Sequence, residues 1–413
     1  MSRTSADEAH QAVEDTVRVS YGRLVAFLAS LTGDLAAAED ALSDAFVAAL
    51  RTWPDRGIPQ RPDSWLLTAA RRNLIDGARR RAVATRHLPE LARLIDQQTT
   101  EPSPPPIPDK RLELMFACTH PAIDPAMRSP LMLQTVLGLD AGRIASAFLV
   151  APSTMGQRLV RVKAKIGQAG IPFQVPAPEA LPERLTSVLD AVYAAYGTGW
   201  DTATHAEAHA RHAHAGLITE ALRLARILVE LAPGQPEPHG LLALLLHSHA
   251  RTAARLDTEG RFVPLDRQDT TRWDPAAISE AEHHLGLALG LRRVGPYQLH
   301  AAIQSVHNRR ALTGTTDWAA ITALYDGLVT FTPTIGAYVA RATAITHTHG
   351  PTAGLQQLDA LPAGRVAGYQ PYWVARAHAL RLLGDATAAE HATTIAVGLT
   401  DDPAIRQFLA HGG

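Results

Sequence analysis

The sequence predicts an all-α protein with two or three domains. Apolar residues recur at helical spacing, Ala and Leu dominate, and no convincing strand-rich stretch interrupts them. A chain of 413 residues is too long for one ordinary core. Two proline-rich segments, 101–108 and 171–178, divide the chain, because clustered prolines block helices and favour extended linkers.

The first block, about 10–83, is predicted to contain three helices. One covers about 13–31, a second opens near Asp34 and runs to Trp53, and a third follows Pro62 with Asp63 as its N-cap. The segment from Arg71 to Arg86 holds six arginines and one acid, Asp76. Such clustering matches the phosphates of nucleic acid, although a solvated helix face is the plain alternative.

The second block is predicted to end in two short helices around a tight turn. Asp140 caps a helix that ends near Phe148, a turn follows, and Ser153 begins a helix to about Gln168. This arrangement is the helix-turn-helix pattern. No acid occurs between Ala141 and Pro178, so the second helix is a candidate recognition helix, with a merely basic surface helix as the alternative.

The third block contains an internal repeat. Residues 338–342 (YVARA) recur at 373–377 as WVARA, 35 residues later, and a period near 34 with paired helices is typical of tetratricopeptide repeats. Sixteen of the 19 histidines follow residue 200. His205 and His209 have metal-ligand spacing, but without a carboxylate at zincin spacing a polar His-rich segment is the favoured interpretation.

Charge and cysteine content bound the function. Residues 1–170 hold 21 Lys and Arg against 18 Asp and Glu, whereas residues 171–413 hold 18 against 22, which favours nucleic acid at the N-terminal end only. The single cysteine, Cys118, rules out an intrachain disulfide and a Cys-rich zinc site, and fits a buried small residue in a reducing cytosol. A polar N-terminus and the lack of ~18 consecutive apolar residues predict a cytoplasmic chain without a membrane span.

Together these segments resemble the extracytoplasmic-function group of sigma-70 family RNA polymerase sigma factors. Residues 34–46 look like region 2.2, residues 65–76 look like regions 2.3 and 2.4, and residues 114–166 look like region 4. Further motifs resemble the subgroup with a tetratricopeptide-like C-terminal extension; they lie at 118–122, 147–150, 157–161, 239–244, 268–274, 295–299 and 316–326. The implied domains are region 2 (10–83), a proline-rich linker (84–109), the region 4 helix-turn-helix (110–170) and the extension (179–413).

The resemblance implies roles for named residues. Those expected to contact core polymerase at the β′ clamp helices are Glu39, Asp40, Asp44 and Phe46. Those expected to contact the −10 element are Trp65, Arg71, Arg72, Asn73, Asp76, Arg79 and Arg80. Those expected to contact the −35 element are Ser153, Thr154, Gln157, Arg158, Arg161, Lys163 and Lys165. The β flap of core polymerase is a further expected contact.

The expected function is therefore non-enzymatic: a sigma factor that binds core RNA polymerase, directs it to specific promoters and assists melting. No cofactor or metal is implied, and the extension is expected to bind a protein partner or contact the rest of the chain. One alternative is a helix-turn-helix regulator with a helical-repeat sensor domain, which would not bind polymerase. Another is an enzyme within 179–413 fused to a sigma module, for which the histidine cluster is the only support.

Overall fold

A computed structural model describes residues 3–80, 107–148, 150–202, 208–400 and 402–411. The described chain is helical apart from turns and one isolated antiparallel bridge between Leu256 and Phe262, which confirms the all-α prediction. It forms two compact units, the first ending at Thr198 and the second beginning at Gly199. Most of the predicted linker lies outside the described residues.

The first unit contains eight described helices. They are α1 (Arg3–Thr32), α2 (Leu35–Arg56), α3 (Pro62–Arg80), α4 (Arg111–Cys118), α5 (Pro125–Thr135), α6 (Ala141–Ala147), α7 (Pro152–Gln168) and α8 (Leu181–Thr202), whose last residues pass the unit boundary.

Local sequence signals set the ends of α2. The Asp34 carboxylate accepts a hydrogen bond from the Ala37 N–H at 3.0 Å, which satisfies one of the free donors at the start of the helix. At the other end, Gly57 takes a φ of 83° and its N–H bonds the Trp53 carbonyl at 2.9 Å. The predicted start near Asp34 is confirmed.

The start of α3 differs from the prediction. The helix begins at Pro62, so Asp63 lies in its first turn and is not the N-cap. The Asp63 carboxylate instead accepts a hydrogen bond from the Arg23 guanidinium at 3.2 Å, which ties α3 to α1. Helices α1 to α3 share a core in which the rings of Trp53 and Trp65 meet edge to face at 5.5 Å.

Helices α6 and α7 form the predicted helix-turn-helix pair. The Asp140 carboxylate accepts from the Gly142 and Arg143 N–H groups at 2.9 Å each, and α7 begins at Pro152, one residue earlier than expected. The apolar residues Met155, Leu159 and Ile166 of α7 recur at helical spacing and are buried, and Val162 is half-buried.

Helix α8 belongs to the first unit, although the sequence places it in the extension. The Ser129 hydroxyl donates to the Ala191 carbonyl at 2.6 Å, and the Arg184 guanidinium donates to the Phe116 carbonyl, so α8 lies against α4 and α5. The apolar stripe of α8 needs cover from water, and it is buried along Leu185, Val188, Leu189 and Val192. The compact unit therefore extends past the expected boundaries at 170 and 179.

The second unit is a series of helix pairs. Its described helices are α9 (Ala208–Leu231), α10 (Pro236–His249), α11 (Pro275–Gly290), α12 (Pro296–Asn308), α13 (Arg310–Thr313), α14 (Trp318–Phe331), α15 (Ile335–His349), α16 (Pro351–Asp359), α17 (Ala363–Val366), α18 (Gln370–Leu382), α19 (Ala386–Gly398) and α20 (Pro403–Ala410).

The repeat seen in the sequence occupies matching places in two of these pairs. Helices α15 and α18 carry the two copies, and each copy's arginine binds an aspartate of an earlier helix, which is α14 for the first copy and α16 for the second. The Arg341 guanidinium donates to Asp326 at 2.6 Å, and the Arg376 guanidinium donates to Asp359. Each copy thus carries a buried alanine, Ala342 or Ala377, and an arginine that links its helix to an earlier one.

A loop between α10 and α11 interrupts the helix series and is held by side chains. The Arg310 guanidinium donates to the carbonyls of Leu265, Asp266 and Gln268, and it lies 5.2 Å from the centre of the Trp273 ring. The Trp273 indole N–H in turn donates to the Gln268 side chain at 3.2 Å. These bonds give a segment with little regular structure a defined path.

The placement of α8 yields a prediction about truncated chains. We expect a chain that ends at Gly170 to be less stable than one that ends at Thr202, by at least about 2 kcal/mol, because it loses the buried stripe of α8. Thermal unfolding followed by circular dichroism at 222 nm measures the difference. Equal melting of the two chains would contradict the assignment of α8 to the first unit.

Candidate polymerase and promoter interface

The exposed acids of α2 lie on one face. Asp40 and Asp44 are exposed and four residues apart, so their side chains project from adjacent turns. Val47 beside them is 44% exposed, whereas Phe46 is half-buried. An acidic face with an apolar residue at its edge is available for a basic protein partner.

Glu39 is also expected to contact core polymerase, but its side chain lies against α7 and not on this acidic face. Its carboxylate accepts a hydrogen bond from the Lys163 ammonium of α7 at 2.5 Å, and the two side chains are 11% and 13% exposed. Burial raises the pKa of Glu39, although the nearby Lys163 ammonium acts in the opposite direction. The Tyr21 hydroxyl also forms a hydrogen bond with the Glu39 carboxylate, and burial together with the charge of Glu39 raises the pKa of Tyr21. Glu39 therefore links α2 to the predicted recognition helix.

Close backbone approaches accompany this ion pair. A Cβ at Gly22 would lie 1.9 Å from the Val136 carbonyl oxygen, so only glycine fits there. Gly138, with a φ of 72°, lies against the Tyr21 ring, where a Cβ would come within 2.9 Å. Helix α1 and the residues that follow α5 are consequently in direct contact.

Helix α3 presents fewer basic side chains than its sequence suggests. Arg71 is 1% exposed, its guanidinium lies 5.0 Å from the centre of the Phe27 ring, and burial lowers its pKa. In this structure the amphipathic side chain of Arg71 is part of the core, and the expected DNA contact at Arg71 stays a prediction. Asn73 also turns inward and donates to the Ala41 carbonyl at 3.1 Å.

The other α3 residues that are expected to contact the −10 element differ in exposure. Arg72 and Asp76 are exposed, and Trp65 is half-buried against Trp53. The side chains of Arg79 and Arg80 lie outside the described residues.

Helix α7 presents a polar and cationic outer face. Ser153, Gln157, Arg158, Arg161 and Lys165 are exposed, and Thr154 is half-buried. The Arg161 Nε–H donates to the Gln157 carbonyl at 3.3 Å and the Lys165 ammonium donates to the Ala122 carbonyl at 2.5 Å. No acid of the α6–α7 segment opposes these cations, whereas Lys163 is occupied by Glu39.

Cys118 is buried, as the sequence predicted. Its Sγ lies 3.3 Å from the Thr135 hydroxyl, and burial raises the pKa of the Cys118 thiol to about 12. Among the described residues, no group of three His, Cys, Asp or Glu side chains is placed to hold a metal ion. The side chains of His205 and His209 lie outside the described part of the chain.

Two features of these side chains were not predicted from the sequence. The Glu39–Lys163 pair joins residues 124 positions apart, and no local pattern links them. The burial of Arg71 could have been suspected, because a helix that packs on two neighbours must bury part of a stripe that contains basic residues.

None of the helices in the described segments combines the length and the apolar character that a membrane crossing requires.

Comparison with known proteins identifies the N-terminal domain. Residues 17–83 match the family Sigma-70 region 2, and residues 184–289 match a family of unknown function (DUF6596). An uncharacterized protein of Rhizobium meliloti (strain 1021) is 36% identical over 383 residues, which cover 91% of this chain and 89% of that protein. No solved structure matches the chain. The chain therefore belongs to the same family as the Rhizobium meliloti protein, and its N-terminal domain is a sigma-70 region 2.

Proposed function

We propose that this protein is a sigma factor of the extracytoplasmic-function type, which binds core RNA polymerase and directs it to specific promoters. The observation that carries the proposal is the region 2 match, which includes the exposed acids Asp40 and Asp44 on α2. The helix-turn-helix of α6 and α7, with its exposed cations, supports a second DNA contact in the same chain.

The described side chains suggest how the contacts are divided. Asp40 and Asp44 would meet basic residues of the β′ clamp helices, while Arg72, Asp76 and Trp65 lie where region 2 would hold and melt the −10 element. Melting requires unstacked bases to be captured by protein, at a cost of a few kcal/mol per base. Ser153, Gln157 and Arg158 at the start of α7 would read −35 base edges, with Arg161 and Lys165 on phosphates.

The ion pair between α2 and α7 limits when Lys163 is available to DNA. In the structure, Glu39 of the polymerase-binding set neutralises Lys163 of the DNA-binding set, so neither is available to an outside partner. Removing one partner of a buried pair costs about 3–5 kcal/mol, because the other charge is left buried without a partner. We infer that engagement of promoter DNA by Lys163 requires α2 and α7 to separate.

The extension is proposed to support the sigma module through α8 and not to act as an enzyme. Helix α8 is covalently continuous with the second unit and hydrogen-bonded to the helices that precede the helix-turn-helix. It thus provides a physical link by which a partner of the tetratricopeptide-like domain would affect region 4. The net acidic character of residues 171–413 favours a protein partner over DNA.

A helix-turn-helix regulator without polymerase binding is the second candidate, since α6 and α7 would serve it equally well. Binding to core polymerase through the acidic face of α2 distinguishes the sigma factor from such a regulator. We expect Asp40→Arg and Asp44→Arg each to weaken binding to core polymerase by at least about tenfold, because the charge reversal repels a basic partner surface. Fluorescence anisotropy of labelled protein with purified core polymerase measures the affinity, with the exposed Glu183→Arg of α8 as control.

Unchanged affinity of both α2 variants for core polymerase would contradict the proposal that this face binds polymerase. An unchanged circular dichroism melt establishes that each variant is folded.

The two ends of α7 should differ in their effect on DNA. We expect Arg158→Ala to change the preferred −35 sequence, with a loss of about 1–3 kcal/mol in discrimination against the wrong base. Lys165→Ala should weaken all sequences alike and reduce the salt slope of binding by about one unit. Selection from a randomised −35 library, followed by salt titrations, distinguishes the outcomes. A uniform effect of Arg158→Ala would show that this helix face does not read bases.

Releasing Lys163 should strengthen DNA binding. We expect Glu39→Gln to bind a −35 duplex about tenfold more tightly than the native chain in the absence of polymerase, because the cation loses its internal partner. Asp40→Asn is the matched control, since it removes the same charge from the next, exposed position. Electrophoretic mobility shift assays at fixed salt measure both. Equal affinities of the two variants would contradict the masking of Lys163.

A further inference from the structure

The second unit contains a cavity that the sigma-factor assignment does not use. Its volume is about 610 Å³, within the range that holds a small organic molecule. The walls come from α12, α14, α15 and α18, and they are completed by the loop around Phe262 and by the C-terminal helix α20. All of these elements belong to the second unit.

The last helix closes the cavity by returning to the loop. The rings of Phe262 and Phe408 meet edge to face at 5.5 Å, and the Arg267 guanidinium lies 5.8 Å from the centre of the Phe408 ring. Helix α20 is fixed at its start by Asp402, whose carboxylate accepts from the Ala404 N–H at 2.8 Å. A wall is thus formed by residues about 140 positions apart in sequence, which makes the cavity a feature of the folded domain.

One side of the cavity is flat, aromatic and uncharged. The rings of Trp318 and His347 are stacked at 3.9 Å with planes 7° apart, and His307 meets Trp318 edge to face at 5.6 Å. Burial lowers the pKa of His307 to about 4, and it also lowers the pKa of His347 and of His378 beside it. Because these imidazoles are neutral near pH 7, the wall suits an apolar body.

The charged side chains that line the cavity are mainly cationic. They are Arg267, Arg310 and Arg381, opposed by Asp266. The Arg310 guanidinium is held by three backbone carbonyls, which fix its position without cancelling its charge. A cationic lining inside a segment with 18 basic and 22 acidic residues is a local reversal of charge, and a partly enclosed apolar cavity strengthens its attraction for anions.

We propose that this cavity binds an amphipathic organic anion. Its apolar body lies along the Trp318–His347 wall, and its carboxylate, sulfonate or phosphate group lies toward Arg267 and Arg381. The histidines serve as wall and not as metal ligands, since the described residues offer no cluster with three metal-binding side chains. The proposal does not rest on the sigma-factor function, because it concerns a small molecule and the second unit alone.

The test uses the full chain and the fluorescent anion 8-anilinonaphthalene-1-sulfonate. We expect one saturable site per chain, from which decanoate displaces the probe and decyltrimethylammonium does not. Equal displacement by the cationic and anionic competitors would overturn the proposal, as would the lack of a saturable site. Displacement only by peptides and not by decanoate would likewise overturn it and assign the cavity to a protein partner.

Two variants locate the probe in this cavity. Arg381→Met should weaken probe binding by about tenfold through loss of a cationic partner, and Ala340→Phe should abolish it by filling the space. The matched controls, Arg365→Met and Ala386→Phe, change exposed residues that do not line the cavity and should bind as the native chain does. If both cavity variants melt like the native chain and still bind the probe normally, the site lies elsewhere and the proposal fails. If Ala340→Phe does not fold, Arg381→Met decides the outcome.

Discussion

The ion pair between Glu39 and Lys163 is the interaction on which the arrangement of the first unit depends. It joins a helix of the sigma-70 region 2 domain to the predicted recognition helix, and both charges are largely withdrawn from water. A charge buried without a partner is costly, so the pair favours a single relative placement of α2 and α7. The glycine contacts at Gly22 and Gly138 bring α1 against the residues that follow α5, because neither position has room for a side chain.

The proposed activity draws on surfaces that this contact partly occupies. Asp40 and Asp44 remain exposed on the far side of α2, and Arg158 and Arg161 remain exposed on α7. A first encounter with polymerase or DNA can therefore begin while the two helices are together, and Lys163 becomes available only when they part. Under the proposed function, such a sequence of events would couple the recruitment of polymerase to the reading of the promoter, since the Glu39 carboxylate belongs to the surface proposed for polymerase and binds a lysine proposed for DNA.

In the second unit, hydrogen bonds from side chains hold a long loop against the helices. Side-chain bonds to backbone carbonyls hold the loop between α10 and α11, and this loop meets the C-terminal helix through Phe262 and Phe408. The motifs at 268–274 and 316–326 that resemble the sigma subgroup are largely caps and loop anchors here: Asp274 and Asp317 accept hydrogen bonds at the starts of α11 and α14. These caps and anchors help to fix the path of the chain around the cavity.

The sequence by itself determined the features that depend on neighbours within a few residues. Helical periodicity indicated the all-α class, the helix start near Asp34 and the cap at Asp140 were predicted, and the 35-residue repeat marked matching helices α15 and α18. Only the tertiary structure decided that Arg71 is buried over Phe27, that Lys163 binds Glu39, and that α8 joins the first unit. The physical reason is that burial and charge pairing depend on which surfaces meet. Residues such as Glu39 and Lys163, 124 positions apart, carry no local mark of the partner they acquire on folding.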